Sequence, residues 1–136
     1  MAHELLHPPH FARAQGYAHG VVAQGRWVFL GGQIGWNADQ VFESDDFVDQ
    51  ARQALRNIKD ILEEAGGAPQ HLVRLTWFVL DKHEYLGRRR ELGAAYREVL
   101  GRHFPAMTLV QVSGLLEDRA RVEIEATAVL EIVQPD

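Results

Sequence analysis

The segment RVEIEATAVLEIV, residues 121–133, restricts the possible folds more than any other part of the chain. One set of alternate positions in it, from Val122 to Ile132, is apolar throughout, whereas the other set mixes charged and polar residues with Val129. A period of two residues is typical of a β-strand, in which successive side chains point to opposite faces. We therefore expect a long strand that packs one face on helices, while its mixed face meets either water or another subunit around a polar pocket.

A helix is predicted over residues 46–65, because apolar residues recur there at helical spacing. Its inner stripe consists of Phe47, Ala51, Ala54, Leu55, Ile58, Ile61, Leu62 and Ala65. Ser44 or Asp45 can cap its start, and the pair Gly66 and Gly67 ends it. A second helix is predicted after Asp81, in which Glu84 can complete a capping box.

Strands are predicted before and between these helices. The runs GVV and RWVFL, separated by Gln24 and Gly25, predict a hairpin. LVRLTWFVL, residues 72–80, is β-branched and aromatic, and MTLVQV follows the second helix. The resulting order ββαβαββ predicts an α+β fold over residues 1–136, a single domain with two helices on one face of a single sheet.

The composition is that of an ordinary globular domain. The 136 residues are 46% hydrophobic, and no run of about twenty apolar residues could span a membrane, so we expect a cytoplasmic protein with no membrane partner. The chain has no cysteine, which excludes disulfides, thiolate zinc sites and a cysteine nucleophile. Its net charge of -5 repels phosphates, so nucleic acid is not expected as a partner.

The N-terminal stretch HELLHPPH begins with the H-E-x-x-H pattern of zinc metalloproteases. Such a site needs both histidines on one helical face together with a third ligand. Pro8 and Pro9 directly follow His7 and prevent that helix. In a strand, His3 and His7 would lie roughly 13 Å apart, too far for one metal. We therefore expect no metal here and interpret residues 1–16 as an N-terminal arm or a short edge strand.

Glycine and tryptophan residues give weaker signals. The stretch GGQIG, residues 31–35, follows a strand but lacks a dinucleotide fingerprint, so we interpret it as a turn in which glycine allows a close backbone approach. Trp27 and Trp77 lie within apolar strands and are predicted core residues. Trp36 lies in a loop and is a candidate for lining a pocket or an interface.

Several segments together resemble the Rid family, also called YjgF/YER057c/UK114 and labelled in the past endoribonuclease L-PSP. The matching segments are GYAHGVVAQGRWVFLGGQIG, QARQALRNIKDILEEAGG, LVRLTWFVLD and FPAMTLVQVSGLLEDRARVEIEATAVL. They extend from Tyr17 to Leu130. The resemblance implies a chorismate-mutase-like fold, a homotrimer whose sheets form a central barrel, and ligand clefts between adjacent subunits.

The resemblance also implies an activity, and this chain departs from one motif that supports it. Founding members of the family hydrolyse reactive 2-imino and 2-enamino acids to 2-oxo acids and ammonia, with no metal or organic cofactor. Their P-A-R-T/S motif supplies an arginine whose planar fork can bind the substrate carboxylate through two hydrogen bonds. Here the motif is Pro105-Ala106-Met107-Thr108, and Met107 has neither a charge nor a donor. The pocket is therefore softer and more apolar at this position.

The resemblance indicates which residues form the site. Glu125 in V-E-I-E-A is expected to place or activate water, Tyr17 to bind the substrate, and His19 to act as an additional acid or base. Gly32, in the turn that corresponds to S-G-Q, and Met107 are expected to line the substrate pocket. Each assignment has a structural alternative, namely a salt-bridge glutamate, a packing tyrosine or a solvated histidine.

Two further residues complete the predicted substrate site. Arg89, in the run Arg88-Arg89-Arg90, can supply the positive charge that position 107 lacks, although an arginine run is also typical of a solvated helix face. Trp36 is expected to border the pocket.

Three functions remain open from the sequence. The first is an imine or enamine deaminase whose substrate differs from that of the arginine-bearing members, aminomuconate-type intermediates being one possibility. The second is a trimeric protein that binds a small metabolite without catalysis. The third, an endoribonuclease, rests only on the old family label, and the acidic net charge argues against it.

Overall fold

The computed structural model describes residues 3–132, and its elements follow the predicted order except that a short strand precedes it and the second helix is divided in two. The elements are β1 (Glu4–Leu6), β2 (Gly20–Val22), β3 (Arg26–Ile34), α1 (Phe47–Glu64), β4 (Leu72–Val79), α2 (Lys82–Gly87), α3 (Arg89–Leu100), β5 (Ala106–Gln111) and β6 (Val122–Leu130), with a 3-10 turn at Pro69–His71. The α+β class predicted from the sequence is confirmed. None of the helices between residues 3 and 132 is both long enough and apolar enough to cross a bilayer.

The strands form two sheets, whereas a single sheet was predicted. Four long strands pair in the order β3-β6-β4-β5, and a separate pair consists of β1 and β2. Strand β4 is antiparallel to β6 and parallel to β5. The edge strand β5 is therefore reached by a chain crossing that contains α2 and α3.

The predicted hairpin between β2 and β3 is wrong. Strand β2 pairs with β1, whereas β3 pairs with β6. Gly25, between β2 and β3, has φ of 152°, and its backbone passes directly against the Leu130 carbonyl group. A side chain at this position would collide with β6, so the glycine serves a close crossing of the chain rather than a hairpin turn.

Strand β6 has the two faces that its alternation predicts. Its inner residues Val122, Ile124, Ala126, Ala128 and Leu130 are at most 5% exposed and pack against the helices. Glu123 and Glu125 lie on the opposite face. The strand ends at Leu130, so Ile132 is not part of it and is exposed, and Val133 lies outside the described residues.

The face of the sheet opposite the helices is open and partly apolar. Trp27 and Phe29, neighbours on this face of β3, are 58% and 76% exposed, and their rings stack with centroids 6.0 Å apart. The prediction that Trp27 lies in the core is therefore wrong, because the alternation of β3 directs it to the outer face. Trp77 is 4% exposed and lies in the core, as predicted.

Neither predicted cap is the N-cap of helix α1, which begins at Phe47. Asp46 is its N-cap, and the Asp46 carboxylate accepts a hydrogen bond from the Asp49 N–H at 3.1 Å. Ser44 instead bonds to both residues, accepting from the Asp46 N–H and donating to the Asp49 carboxylate. Gly66, with φ of 82°, follows the C-terminus as predicted.

The second predicted helix is divided at Arg88. Asp81 caps α2 as expected, accepting from the His83 N–H at 2.9 Å, but Glu84 binds the Arg121 guanidinium in place of completing a capping box. Arg88 leaves the helical conformation, with φ of -125° and ψ of 25°, and its guanidinium pairs with Asp46 and Glu91. A tertiary ion pair thus holds the joint between α2 and α3.

Gln50 is a buried polar residue that fixes the approach to β6. Its side chain is 1% exposed, donates to the Ser44 and Arg119 carbonyl oxygens at 3.0 Å, and accepts from the Arg121 N–H at 2.8 Å. Gly35 packs directly on its Cβ. Gln50 therefore positions the start of the strand that carries Glu123 and Glu125.

We expect Gln50→Leu to lower the free energy of unfolding by about 2–4 kcal/mol, because it leaves buried backbone donors and acceptors without partners. Urea denaturation followed by circular dichroism measures this difference. Gln70→Leu, at an exposed position of the 3-10 turn, is the matched control and should change stability by less than about 0.5 kcal/mol. Equal effects of the two substitutions would contradict the role of Gln50.

Candidate functional site

An open cleft of about 1010 Å³ lies between the inner side of β5 and the helices α2 and α3. It contains three of the residues that the sequence predicts for the site, Tyr17, Arg89 and Met107. We call it the Tyr17–Met107 cleft. The rings of Trp77, Tyr85, Tyr96 and Phe104 belong to its apolar lining.

Tyr17 is held beside β5 by its neighbour Ala18. The Ala18 N–H donates to the Pro105 carbonyl oxygen at 3.0 Å, and Ala18 forms a parallel bridge with Ala106. The Tyr17 side chain remains 42% exposed. Because its backbone is attached to the strand that carries Met107, the two side chains reach the same cleft.

Met107 belongs to the helix-facing side of the sheet. It is in register with the buried Leu75 of β4, and Leu109, two residues further along, is in register with Trp77. Both Met107 and Leu109 are half-buried and line the cleft. The position at which the family resemblance implies an arginine is thus part of an apolar floor.

The positive charge of the cleft comes from α3 and from the loop before β5. Arg89, Arg90 and Arg97 of α3 line it, together with Arg102 from the loop before β5. Arg88 does not, because its guanidinium is engaged with Asp46 and Glu91. This pairing holds the pKa of the Asp46 carboxyl below its usual value, since the hydrogen bond from Arg88 favours the ionised form.

The aromatic wall of the cleft is well fixed. Tyr96 and Phe104 stack with ring centroids 5.2 Å apart, and the Tyr96 hydroxyl donates to the His103 carbonyl oxygen at 2.6 Å. Burial raises the pKa of the Tyr96 hydroxyl far above its usual value, so this group stays protonated and is not a general base. Its contribution is a rigid apolar surface.

Gly32 and Glu125 do not line the Tyr17–Met107 cleft. Gly32 lies within β3, at a bulge between Leu30 and Gln33, so the predicted turn over residues 31–35 is instead an irregular strand. Glu125 is exposed on the open face of β6, opposite Thr76 of β4. A second group of predicted site residues is therefore separate from the first in the single chain.

Glu123 is a candidate that the sequence reasoning missed. A Cβ added at Gly32 would lie 2.0 Å from a Glu123 carboxylate oxygen, so the carboxylate occupies the space that the glycine leaves open. Glu123 is also half-buried, whereas Glu125 is exposed. The alternation of β6 places both glutamates on the open face, and only the bulge in β3, which the sequence does not reveal, brings Glu123 against Gly32.

The remaining predicted residues lie at the margins. His19 is half-buried, and its ring lies 5.4 Å from the rings of both His7 and Tyr17, so it adjoins the cleft through Tyr17 without lining it. Trp36 packs on Phe42 at 5.9 Å and does not line the cleft.

The two histidines of the H-E-x-x-H pattern have separate surroundings. Residues Glu4–Leu6 between them form a strand, and the His3 ring nitrogen Nε2 bonds to the Val129 carbonyl oxygen at 3.0 Å, whereas His7 stacks on His19. Over residues 3–132, no three histidine, aspartate or glutamate side chains are grouped so that they could hold a metal ion.

Comparison with known proteins places this geometry in a family. The family model described as endoribonuclease L-PSP matches residues 9–130. This chain belongs to that family, the Rid family. A RutC family protein of Haemophilus influenzae is 34% identical over 129 residues, which cover 95% of this chain and 98% of the relative.

Other Rid family relatives extend the comparison to an activity and a structure. The 2-iminobutanoate/2-iminopropanoate deaminase of Escherichia coli K12 is 35% identical over 108 residues, covering 77% of this chain and 80% of the relative. The crystal structure of YyfB, a Rid family protein of unknown function from Yersinia pestis, matches with a TM-score of 0.83 at 29% identity and covers 96% of this chain and all of that one. The Rid fold predicted from the sequence is thereby confirmed.

His3 connects the N-terminal strand of this Rid protein to β6, and its burial makes the folding stability depend on pH. Its Nδ1 atom is buried and has no hydrogen-bond partner among residues 3–132, and burial, together with the nearby His103 and His71, lowers the pKa of the imidazole below its usual value near 6.5. The unfolded chain therefore binds this proton at a higher pH than the folded chain. The stability contributed by neutral His3 is present above pH 6.5 and is lost as the pH falls through the window below it.

We expect His3→Gln, which retains a donor, to reduce the loss of unfolding free energy that accompanies a change from pH 7.5 to pH 5.5. Urea denaturation at several pH values measures the slope. His83→Gln, at an exposed position of α2, is the control and should follow the wild-type profile. Parallel profiles for all three proteins would rule out a contribution from His3.

Proposed function

We propose that this chain is a RidA-like deaminase of the cytoplasm, which hydrolyses a 2-imino or 2-enamino acid, or a related intermediate, to a carbonyl compound and ammonia. The observation that carries the proposal is the Tyr17–Met107 cleft, in which a tyrosine, four arginines and aromatic rings surround the position of the family's carboxylate-binding residue. The 35% identity with a 2-iminobutanoate/2-iminopropanoate deaminase supports the same reaction class.

The reaction requires few protein groups. Water adds to the electrophilic carbon of the C=N bond and gives a carbinolamine, and the C–N bond then breaks to release ammonia and leave a C=O group. A carboxylate that takes the proton of the attacking water can return it to the leaving nitrogen. The protein must orient the substrate, position one water and move one proton.

The chain supplies these groups from two surfaces. Tyr17 and the cleft arginines can bind the acid group of the substrate, whereas Gly32, Glu123 and Glu125 lie on another part of the sheet. A complete site therefore requires a second copy of the chain to bring its glutamate-bearing surface to the cleft. This requirement supports the homotrimer with ligand clefts between subunits.

The open face of the sheet is the natural contact surface of such a trimer. Trp27, Phe29 and Val110 expose apolar side chains there, although single exposed apolar residues are common on monomers. A stacked tryptophan and phenylalanine on a flat sheet face form a contiguous patch, which is typical of an interface. Three such sheets facing each other would bury it.

We expect the wild-type protein to have about three times the 15.4 kDa mass of one chain, and Phe29→Glu to be monomeric. The substitution places like charges in the proposed contact while leaving the core of the subunit intact, since Phe29 is 76% exposed. Light scattering coupled to size exclusion measures the mass. Leu116→Glu, at a loop position that is 95% exposed, is the matched control and should remain trimeric.

Loss of assembly should also abolish ammonia release if the site lies between subunits. A wild-type monomer, or a Phe29→Glu protein that remains trimeric, would contradict this arrangement. A monomeric Phe29→Glu protein with full activity would place the whole site within one chain.

The glutamate that positions water can be identified by substitution. Because Glu123 lies against Gly32 and is half-buried, we expect Glu123→Gln to lower kcat by about 100-fold, with a smaller loss for Glu125→Gln. A coupled assay that generates several imino acids in situ and detects ammonia provides the measurement. Full activity in both variants would contradict a carboxylate mechanism.

Met107→Arg tests the relation to the arginine-bearing members. We expect the variant to gain activity on 2-iminopropanoate generated in situ, because a guanidinium at the cleft floor can bind the small carboxylate through two hydrogen bonds. Met107→Leu, which keeps the floor apolar, is the control and should not gain this activity.

Binding without catalysis is the second candidate function. It is favoured by the separation of both glutamates from the cleft within one chain and by the apolar residue at position 107. Absence of ammonia release from every imine tested, combined with a metabolite that raises the melting temperature, would support it.

A further inference from the structure

The arginines of the Tyr17–Met107 cleft differ from five other arginines of the chain, which are paired with carboxylates. Arg52, Arg56, Arg88, Arg119 and Arg121 all form ion pairs. Within residues 3–132, no such pair involves Arg89, Arg90, Arg97 or Arg102. The residues of this range that line the cleft include no aspartate or glutamate.

The positive charge of the cleft contrasts with the negative net charge of the whole chain. The net charge of the chain is -5, yet four guanidinium groups border one cleft. Within one chain these like charges repel each other, and an anion that enters the cleft relieves this repulsion. One carboxylate can engage one or two guanidinium groups, so four of them favour a ligand with more than one acidic group.

The arginines lie at two ends of the cleft. Arg102 and Tyr17 also border the smaller adjoining hollow beneath the N-terminal arm, whereas Arg89, Arg90 and Arg97 line only the main cleft. We call these three residues the α3 arginine row. Arg90 and Arg97 are separated by two helical turns, about 10.5 Å along the axis. The row thus offers positive charge over a length greater than a single carboxylate needs.

Gly93, between the two ends of the row, keeps this surface open. An added Cβ at Gly93 would lie 3.2 Å from Arg97 Nη1, so the Arg97 guanidinium folds back over the space that a side chain would fill. Glycine inside a helix is unfavourable compared with alanine. The absence of a side chain at Gly93 leaves this space to the Arg97 guanidinium.

The rest of the cleft lining can accept a flat apolar group. The rings of Tyr96 and Phe104 stack and are fixed by the hydrogen bond from Tyr96 to His103, and Met107 and Leu109 form the floor. Guanidinium planes also stack favourably on flat conjugated groups. Small 2-imino acids would leave most of this surface uncovered.

We infer that the α3 arginine row is a second anion subsite, which selects a substrate with a planar, conjugated or aromatic body and an acidic group at each end. Arg102 and Tyr17 bind the acid group beside the reacting carbon, and Arg90 and Arg97 bind the distal one. This inference rests on the proposed deaminase function for its reaction, but its binding selectivity can be measured without turnover.

The test compares two unreactive probes by isothermal titration calorimetry. Terephthalate carries a carboxylate at each end of a planar ring, and benzoate is the matched mono-acid. We expect the wild-type protein to bind terephthalate at least tenfold more tightly than benzoate, and this preference to decrease with added salt because it is electrostatic. Equal affinities for the two probes would overturn the inference.

Substitutions test which arginines cause the preference for terephthalate over benzoate. The double variant R90Q/R97Q should bind terephthalate about tenfold more weakly and benzoate unchanged, whereas Arg56→Gln, which removes an exposed arginine of α1 outside the cleft, should leave both affinities unchanged. Retention of the terephthalate preference in R90Q/R97Q would overturn the assignment to α3.

Gly93→Ala provides a second test that does not remove charge. Because alanine is the better helix former, we expect the melting temperature to rise, while the added methyl group displaces Arg97 and weakens terephthalate binding at least threefold. A stabilised variant with unchanged terephthalate affinity would exclude a role for the space above Gly93.

The subsite and the reaction can fail separately. A di-acid preference without ammonia release from any di-acid imine leaves the subsite standing and contradicts the deaminase function. Ammonia release from mono-acid imines, with no preference for terephthalate over benzoate, supports the deaminase function and overturns the subsite.

Discussion

The parallel pairing of β4 with β5 determines where this chain can hold a ligand. Antiparallel neighbours can be joined by a short turn, but parallel neighbours require the chain to cross back over the sheet. Residues 80–105 make this crossing and contain α2 and α3. Because β5 is the edge strand, the crossing chain leaves part of its inner side uncovered, and the space between α3 and Met107 is the cleft. The attachment of Ala18 to Pro105 and Ala106 then adds Tyr17 to the same space.

The parts of the fold that the sequence predicts correctly are those in which burial imposes a local period. Strand β6 alternates because its inner residues are all buried, and α1 has its apolar stripe because one helical face packs on the sheet. The errors arise where distant residues decide the conformation. Gly25 passes against the Leu130 carbonyl, which prevents the hairpin, and Asp46 pairs with Arg88, which divides the second helix. Neither contact leaves a periodic signal in the sequence.

The candidate site, like the fold, could be predicted from the sequence only in part. Tyr17 and Met107 follow from the family resemblance, and their proximity follows from the bridge between Ala18 and β5. The spacing of Arg89, Gly93 and Arg97 at intervals of four residues is a helical signal that was present in the sequence and could have indicated one face of α3. Glu123 was not predictable in this way, because the bulge at Gly32 changes which glutamate of β6 meets β3.

Methionine at position 107 and arginines on α3 are physically consistent with each other. Position 107 faces the buried side of the sheet, in register with Leu75, where an uncompensated charge is costly to desolvate. An arginine there must be balanced by a bound carboxylate whenever the cleft is closed to water. The α3 arginines lie on an exposed helix surface and stay hydrated while the cleft is empty, so they carry less of this cost. Moving the positive charge from the floor to the wall therefore frees the floor for an apolar group and lengthens the distance over which acid groups can be bound.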